Sequence, residues 1–353
     1  MQNLGPLREL LDDETVTEIM VNGAANIYVE KKGRLHLTEK QFANDTELLT
    51  VIESILKPLD RHLDKKTPFV DLSLSDGSRV NIIMPPLSLT GPMITVRKFS
   101  KRRLIGSDLV SFGSCSENML KFMELCVLSR QNIIISGGTG TGKTVLLNII
   151  SSFIPFGERI ITIEDTAELR LNQAHVGRLE SSPADIEGKG QITIRQLVIN
   201  SLRMRPDRII VGECRSGEAL DMLQAMNTGH DGSMTTVHSN SPRDCLKRLE
   251  VMVLMAGIDL PVRTVREQIS SSINLIFQTT RFRDGSRKIT DISQITGMEG
   301  DVITLSPIFE YKQEGIDKLS GKVVGEFKST GVTPTFVEDL KSQGILFNMR
   351  IFE

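Results

Sequence analysis

Hydrophobic and polar positions change period along this chain, and the change divides it in two. Residues 17–21 and 26–30 form short apolar runs around Asn22-Gly23, the pattern of two β segments about a tight turn. Lys31-Lys32-Gly33 makes a second turn into a segment at 34–37. Leu48, Leu49, Ile52, Ile55 and Leu56 share one helical face, which predicts a helix capped by Asp45 and stopped at Pro58. Residues 69–74 and 78–84 read as strands joined by Ser75-Asp76-Gly77, and 93–99 as a last strand. Leu4, Leu7, Leu10 and Leu11 already have helical spacing, so order is expected within a few residues of Met1. Together these predict an N-terminal α+β domain over residues 1–99.

Residues 100–115 begin basic and turn rich in Ser and Gly, and they read as a linker. From Glu117 the pattern becomes helix, strand, loop, helix, strand, which predicts an α/β domain over 116–353 with a mostly parallel sheet. Its strands are expected at 132–136, 159–163, 208–211 and 233–238, with helices at 241–255 and 262–271. After Arg281 β-like runs return, closed by a short helix at 337–343. No internal repeat or low-complexity stretch occurs.

The apolar run at 132–136 leads into Gly137-Gly138-Thr139-Gly140-Thr141-Gly142-Lys143-Thr144, and Val145 opens a second apolar run to residue 150. Strand, glycine-rich turn and helix follow in the order a phosphate-binding loop needs. The glycines let successive N–H groups turn inward around a polyphosphate, because they reach positive φ without a Cβ penalty. The helix start adds unpaired donors and a positive dipole end. Lys143 supplies mobile charge for the β- and γ-phosphates, and the Thr144 hydroxyl is placed to ligate Mg²⁺. Binding of a nucleoside triphosphate follows.

Composition narrows the setting. The chain has 353 residues, which favours about two domains, and 39% hydrophobic with 24% charged residues is an ordinary globular balance. A net charge of −2 gives no global pull towards nucleic acid or anionic lipid. No apolar run approaches a bilayer span, and the start lacks the pattern of a signal peptide. Cytoplasmic residence without membrane insertion is expected, with peripheral attachment to a membrane complex left open. Cys115, Cys126, Cys214 and Cys245 form no C-x-x-C pair, so buried thiols are expected rather than a zinc or redox site.

A triphosphatase also needs a group that handles water. Residues 205–213 contain an apolar strand that ends in Glu213, placed to orient or deprotonate the attacking water. The Mg²⁺-associated Asp usual just before it is absent, since position 212 is Gly. Glu164 and Asp165, at the end of the 159–163 strand, are the candidates to hold the metal or its waters. The alternative is that 165–168 forms only a capping box for a short helix. His230 and His238 lie in one run, and a strand ending in His238 suits a sensor of the γ-phosphate. Taken singly, such histidines are more often structural.

Lys143, Glu213, the Glu164-Asp165 pair and the 230–238 run, in this order, resemble the secretion ATPase superfamily, with its Walker A loop, Walker B strand, Asp box and His box. Residues 16–23, 76–81, 220–233, 254–257 and 297–301 resemble its CpaF/TadA branch, the ATPases of tight-adherence (Flp-type) pili. The likeness covers nearly the whole chain. It implies an N-terminal PAS-like domain, a RecA-like ATPase domain, and a homohexamer acting on integral inner-membrane pilus platform proteins. It places His230 with the nucleotide-binding residues and His238 with the catalytic ones. By position Arg79 and Arg97 match arginines that approach the phosphates, with strand-surface arginines as the alternative. Arg215 matches a position that links sensor to site.

Three departures stand out. Cys214 and Ser216 replace smaller or aliphatic residues, Ser182 stands where Arg is frequent, and the N-terminal helical region of pilus members does not appear. The implied function is an ATP-driven motor for pilus assembly, with retraction open. The alternatives are a type IV secretion ATPase and a nucleotide-gated scaffold. Absence of Trp and only two Tyr argue against stacking on nucleic acid.

Overall fold

The computed structural model describes residues 4–31, 33–59, 61–74, 76–99, 103–183, 189–342, 344–345 and 347–352. It divides into two compact units, Met1–Arg103 and Leu104–Glu353.

In the first unit, helices α1 (Leu7–Asp12) and α2 (Asp45–Leu56) pack on an antiparallel sheet. Its strands are β1 (Val16–Asn22), β2 (Asn26–Lys31), β3 (Arg34–Leu37), β4 (Phe69–Ser73), β5 (Arg79–Ile83) and β6 (Met93–Arg97). They lie in the order β3-β2-β1-β6-β5-β4. Alternation decides which face is covered: Ile19, Val21, Ile27, Val29, Val80, Ile82, Ile94 and Val96 join Leu48, Val51, Ile52 and Ile55 in one core. The opposite face carries polar residues in register, among them Glu18, Arg97 and Arg79 on three adjacent strands. One expectation needs correcting. Asn44, not Asp45, caps α2, because its extended backbone lets the side chain accept from the Glu47 N–H at 3.0 Å. Lys32 and Ser75, expected in turns, lie outside the described residues.

The second unit contains α3 (Gly106–Ser111), α4 (Glu117–Leu128), α5 (Lys143–Ser151), α6 (Ile194–Ser201), α7 (Glu218–Asn227), α8 (Pro242–Leu254), α9 (Val262–Ser272) and α10 (Val337–Ser342). Its strands are β7 (Ile133–Gly137), β8 (Ile160–Glu164), β9 (Val176–Glu180), β10 (Arg208–Cys214), β11 (Met234–His238), β12 (Leu275–Arg281), β13 (Arg287–Glu299), β14 (Val302–Ile316) and β15 (Val323–Ser329). The sheet order is β15-β14-β13-β12-β7-β11-β10-β8-β9. From β12 to β9 the pairs are parallel, and from β12 to β15 antiparallel.

The central parallel strands β7, β8, β10 and β11 are largely buried on both faces, which is why they read as unbroken apolar runs, whereas β9 at the edge is partly exposed. In β7, Ile133 and Ile135 join a core with α4 and α5, while Ile134 faces the opposite core with α7, α8 and α9. Residues 106–111, expected in a linker, instead form α3. Leu109 is buried in the first of those cores, and the Asp108 carboxylate accepts from the Ile105 N–H at 2.9 Å. Composition rich in Ser and Gly hid the single buried leucine that anchors the turn. The start of the expected linker, 100–102, and the end of the last helix at 343 lie outside the described residues.

Candidate functional site

Four neighbouring parallel strands end at one edge of the second sheet. Gly137 closes β7 beside His238 of β11, Val237 pairs with Cys214 of β10, and Glu164 closes β8. Ligands of open parallel sheets bind outside such carboxyl ends. The loop from Gly137 to Lys143 rises from this edge into α5, with Gly140 at φ +71° and Gly142 at φ +96°. Only glycine adopts these without strain. Gly137 is needed for close approach instead: a Cβ there would lie 2.3 Å from Thr279 Oγ1.

Lys143 Nζ donates to the Gly138 carbonyl at 2.9 Å and lies 3.3 Å from His238 Nε2. His238 Nε2 stands 3.1 Å from Glu213 Oε1. Arg215 meets Glu213 Oε2 at 2.8 Å and Asp165 Oδ2 at 3.6 Å. Lys143, His238, Glu213, Arg215 and Asp165 are thus linked in one chain of contacts. Thr144 and Val145 continue the loop in the first turn of α5. Thr139 is exposed at the tip, and Thr141 Oγ1 donates back to the Gly138 carbonyl at 3.0 Å.

The electrostatics follow from this arrangement. Burial pushes the Glu213 carboxyl up, but the Arg215 hydrogen bond and the charges of Arg215, His238 and Lys143 outweigh it, so Glu213 titrates below the usual range. Burial and the Lys143 charge lower His238 despite the Glu213 carboxylate. The tautomer of a neutral His238 that protonates Nε2 donates to Glu213 Oε1 and leaves Nδ1, 3.4 Å from Lys143 Nζ, as the acceptor. Glu164 behaves differently: burial pushes it up to about 7. Its Oε1 accepts from the Glu168 and Leu169 N–H groups at 2.9 and 2.8 Å, while Oε2 is buried without a hydrogen-bond partner among the described residues.

That geometry corrects the capping-box alternative. Residues 165–168 are not helical, and the Glu164 carboxylate ties down the loop's amides itself. It also explains Gly212. A Cβ at that position would sit 3.0 Å from Glu164 Cγ, so the Glu164 side chain occupies the space that a larger residue would need. Cys214 is buried against Met222 Sδ at 3.6 Å, and the Ser216 N–H donates to Glu218 Oε1 at 2.9 Å. Both departures are accommodated locally. Ser182 pairs through its backbone with Ile192, next to residues 184–188 that lie outside the described set.

Two expectations place residues elsewhere. His230 precedes β11, at the amino end of the sheet, with Nδ1 3.2 Å from the Ala225 carbonyl. The five-residue strand that follows separates it from His238 by roughly 17 Å at ~3.3 Å per residue. His230 is therefore not part of the cluster within this chain. Arg79 and Arg97 belong to the first unit, where they are direct cross-strand partners, and Arg97 Nε lies 3.7 Å from Glu18 Oε1.

The site also includes residues the sequence did not single out. Thr279 Oγ1 lies within hydrogen-bond distance of the Ser136 carbonyl at 3.0 Å and of Thr141 Oγ1 at 2.9 Å, with one proton to share between them. Arg287 Nε donates to the Gly140 carbonyl at 2.8 Å. Both arrive more than 130 residues after the loop in a tail of β-like runs, so no local signal marks them. Among the described residues no group of three or more His, Cys, Asp or Glu could hold a metal ion by itself. The available oxygens, Thr144 Oγ1 and the Glu164 and Asp165 carboxylates, suit a Mg²⁺ bound chiefly by phosphate and water. No helix among the described residues is long and apolar enough to cross a membrane.

A model of the type II/IV secretion system protein family matches residues 1–304. A putative conjugal transfer protein of Mycobacterium tuberculosis is 31% identical over 304 residues, covering 84% of this chain and 86% of its own. The type IV secretion system protein PtlH of Bordetella pertussis is 31% identical over 319 residues, covering 82% and 93%. Among solved structures, the pilus retraction motor PilT with bound ADP superposes with a TM-score of 0.58 at 19% identity, covering 87% of this chain and 82% of that one. The likeness to PilT concerns the fold, an N-terminal sheet domain and a larger α/β domain. With most of its length matched, the chain belongs to the type II/IV secretion system protein family.

Proposed function

We propose that this chain is an ATP-hydrolysing motor subunit. The observation that carries the reading is the convergence of Lys143, His238, Glu213 and Arg215 at the carboxyl ends of adjacent parallel strands, beside a glycine loop with two left-handed residues. In this account Gly138, Thr139, Gly140, Thr141 and Gly142 turn their amides towards the phosphates, with Thr144 and Val145 opening the helix behind. Lys143 exchanges the Gly138 carbonyl and His238 for phosphate oxygens. Water attacks the γ-phosphorus as the bond to the bridging oxygen breaks, ADP leaves, and Glu213 takes the water's proton. An ionised Glu213 is the form this needs.

Thr144 and, directly or through water, Glu164 and Asp165 would hold Mg²⁺, whose chemistry would be to neutralise phosphate charge. His238, poised between Lys143 and Glu213, reports whether phosphate is present, and Arg215 passes that state to Asp165. Arg79 and Arg97 are proposed as phosphate-engaging arginines, since a fixed planar fork suits phosphate oxygens.

The finer assignment is a homohexamer at the inner membrane that assembles a tight-adherence pilus through its platform proteins. The branch-like segments, including 220–233, favour it. A type IV secretion role is the second reading, and the likeness to PtlH and to a conjugal transfer protein favours that one. An intact Lys143, Thr144 and Glu213 set speaks against a non-hydrolysing scaffold. Phosphate release measured against protein concentration tests the motor: turnover per subunit should rise as rings form, together with a homo-oligomer on sizing. A monomer fully active at every concentration would contradict it. Strong stimulation by DNA would move the assignment to the secretion reading.

A further inference from the structure

The hairpin that joins β12 to β13 places two arginines on the phosphate loop. Arg281 closes β12 and Arg287 opens β13, and the two are direct cross-strand partners. Arg287 Nε donates to the Gly140 carbonyl at 2.8 Å, and its stem crosses Gly142, where a Cβ would lie 3.5 Å from Arg287 Cδ. A Cβ on Gly140 would lie 3.2 Å from Arg281 Nη1. Both guanidinium groups are thus brought to the middle of the loop, and both side chains are exposed.

Two physical points give this placement a consequence. A peptide unit is planar and trans, so the Gly140 carbonyl and the Thr141 N–H point in opposite directions. Pinning the carbonyl outward from the hairpin side aims the Thr141 amide at the opposite side of the loop. A guanidinium held beside Gly140 also adds positive charge where a polyphosphate on the loop would sit.

We infer that Arg287 is a positioning residue of the phosphate loop, fixing the Gly140–Thr141 peptide, and that Arg281 beside it contributes charge to polyphosphate binding. The inference rests on the nucleotide-binding reading of the loop. It ties the loop to the antiparallel extension of the sheet, so that movement of the hairpin changes affinity for phosphate.

The test uses the full chain and a fluorescent ADP analogue titrated at several salt concentrations, with phosphate release measured alongside. Arg287→Gln should weaken ADP and ATP binding by about tenfold, and KM should rise with little change in kcat, because bound substrate and transition state lose the same oriented amide. Arg287→Lys should not restore affinity, since an ammonium cannot place the Nε–H on that carbonyl. Arg281→Ala should reduce the salt dependence of binding, and Arg281→Lys should recover it. A thermal melt of each variant without nucleotide separates loss of fold from loss of binding. Wild-type affinity and salt slope in both Arg287→Gln and Arg281→Ala, with binding weakened in Lys143→Ala, would overturn this inference and leave the nucleotide reading standing. Absence of binding by the unaltered protein would instead remove the reading itself.

Discussion

Strand β10 begins at Arg208 and reaches Glu213 five residues later, and its two ends handle charge in different ways. At the amino end Arg208 is fully buried. Its guanidinium meets Glu158 at 2.7 and 3.1 Å and the Val127 carbonyl at 2.8 Å, and Arg130 adds a further contact to Glu158 at 3.0 Å. Gly232 at φ +83° is required alongside, because a Cβ there would lie 2.5 Å from Arg208 Nη1. At the carboxyl end Glu213 stays 19% exposed, His238 29% and Arg215 56%, and several contacts exceed 3 Å. Arg208 itself is shut off from water and forked onto Glu158 by two short hydrogen bonds, so it holds the amino end of the strand in place. The open set is stretched between loops, so a ligand with better oxygens can displace its members. Burial and geometry, rather than residue type, separate a lock from a site.

The largest effect is expected at the lock. Arg208→Ala leaves Glu158 partly buried without its fork and should cost about 3–5 kcal/mol of stability, read as a lower urea midpoint. A loss below 1 kcal/mol would erase the distinction drawn between the two ends. Lys143→Ala, at the other end, should leave the urea midpoint nearly unchanged. Its nucleotide affinity should fall by on the order of 30-fold or more, about 2 kcal/mol, because a charge partner of the phosphates is gone.

The pH dependence sharpens the comparison further. Glu164 is raised to about 7 by burial, so its ionised form accumulates only as pH passes through that value. If the carboxylate orients the metal's waters, kcat should rise across this window, and Glu164→Gln should lower and flatten the profile. The stability contribution has the opposite sense. Between the ordinary carboxyl value of 4.5 and about 7 the folded protein holds the proton more tightly than the unfolded chain, so this contribution falls as pH rises. A urea midpoint with the same pH dependence in wild type and Glu164→Gln would show that burial does not govern this carboxyl. The smallest effect belongs to the first unit: Asn44→Ala should cost about 1 kcal/mol through the lost cap and leave nucleotide affinity unchanged. A change in affinity would mean that the cap influences the site.

Much of the site was legible because its chemistry is local. The glycine loop, the acid near the end of β10 and the histidine closing β11 each sit where an apolar run stops, and the end of such a run is visible in sequence. The parallel core was legible for the same reason, with Ile133, Ile134 and Ile135 buried on alternating faces. What the sequence could not convey was pairing across long separations. Thr279 reaches the loop only because β12 lies beside β7 in register, and Arg287 only because β13 folds back along β12. His230 and His238 belong to one run in the sequence, yet the strand between them carries them to opposite ends of the sheet. Asn44 rather than Asp45 caps the helix, and only the backbone angles reveal this, because Asn and Asp suit a cap equally well in sequence.

The central claim is that Glu213, held ionised between His238 and Arg215, accepts the proton of the attacking water. It is tested most directly by measuring ATP binding and single-turnover hydrolysis side by side in wild type and Glu213→Gln. The account predicts near-normal binding with hydrolysis slowed on the order of 10²-fold or more, since an amide of the same shape cannot take the proton. Hydrolysis at the wild-type rate would contradict it and return the role to Glu164 or Asp165.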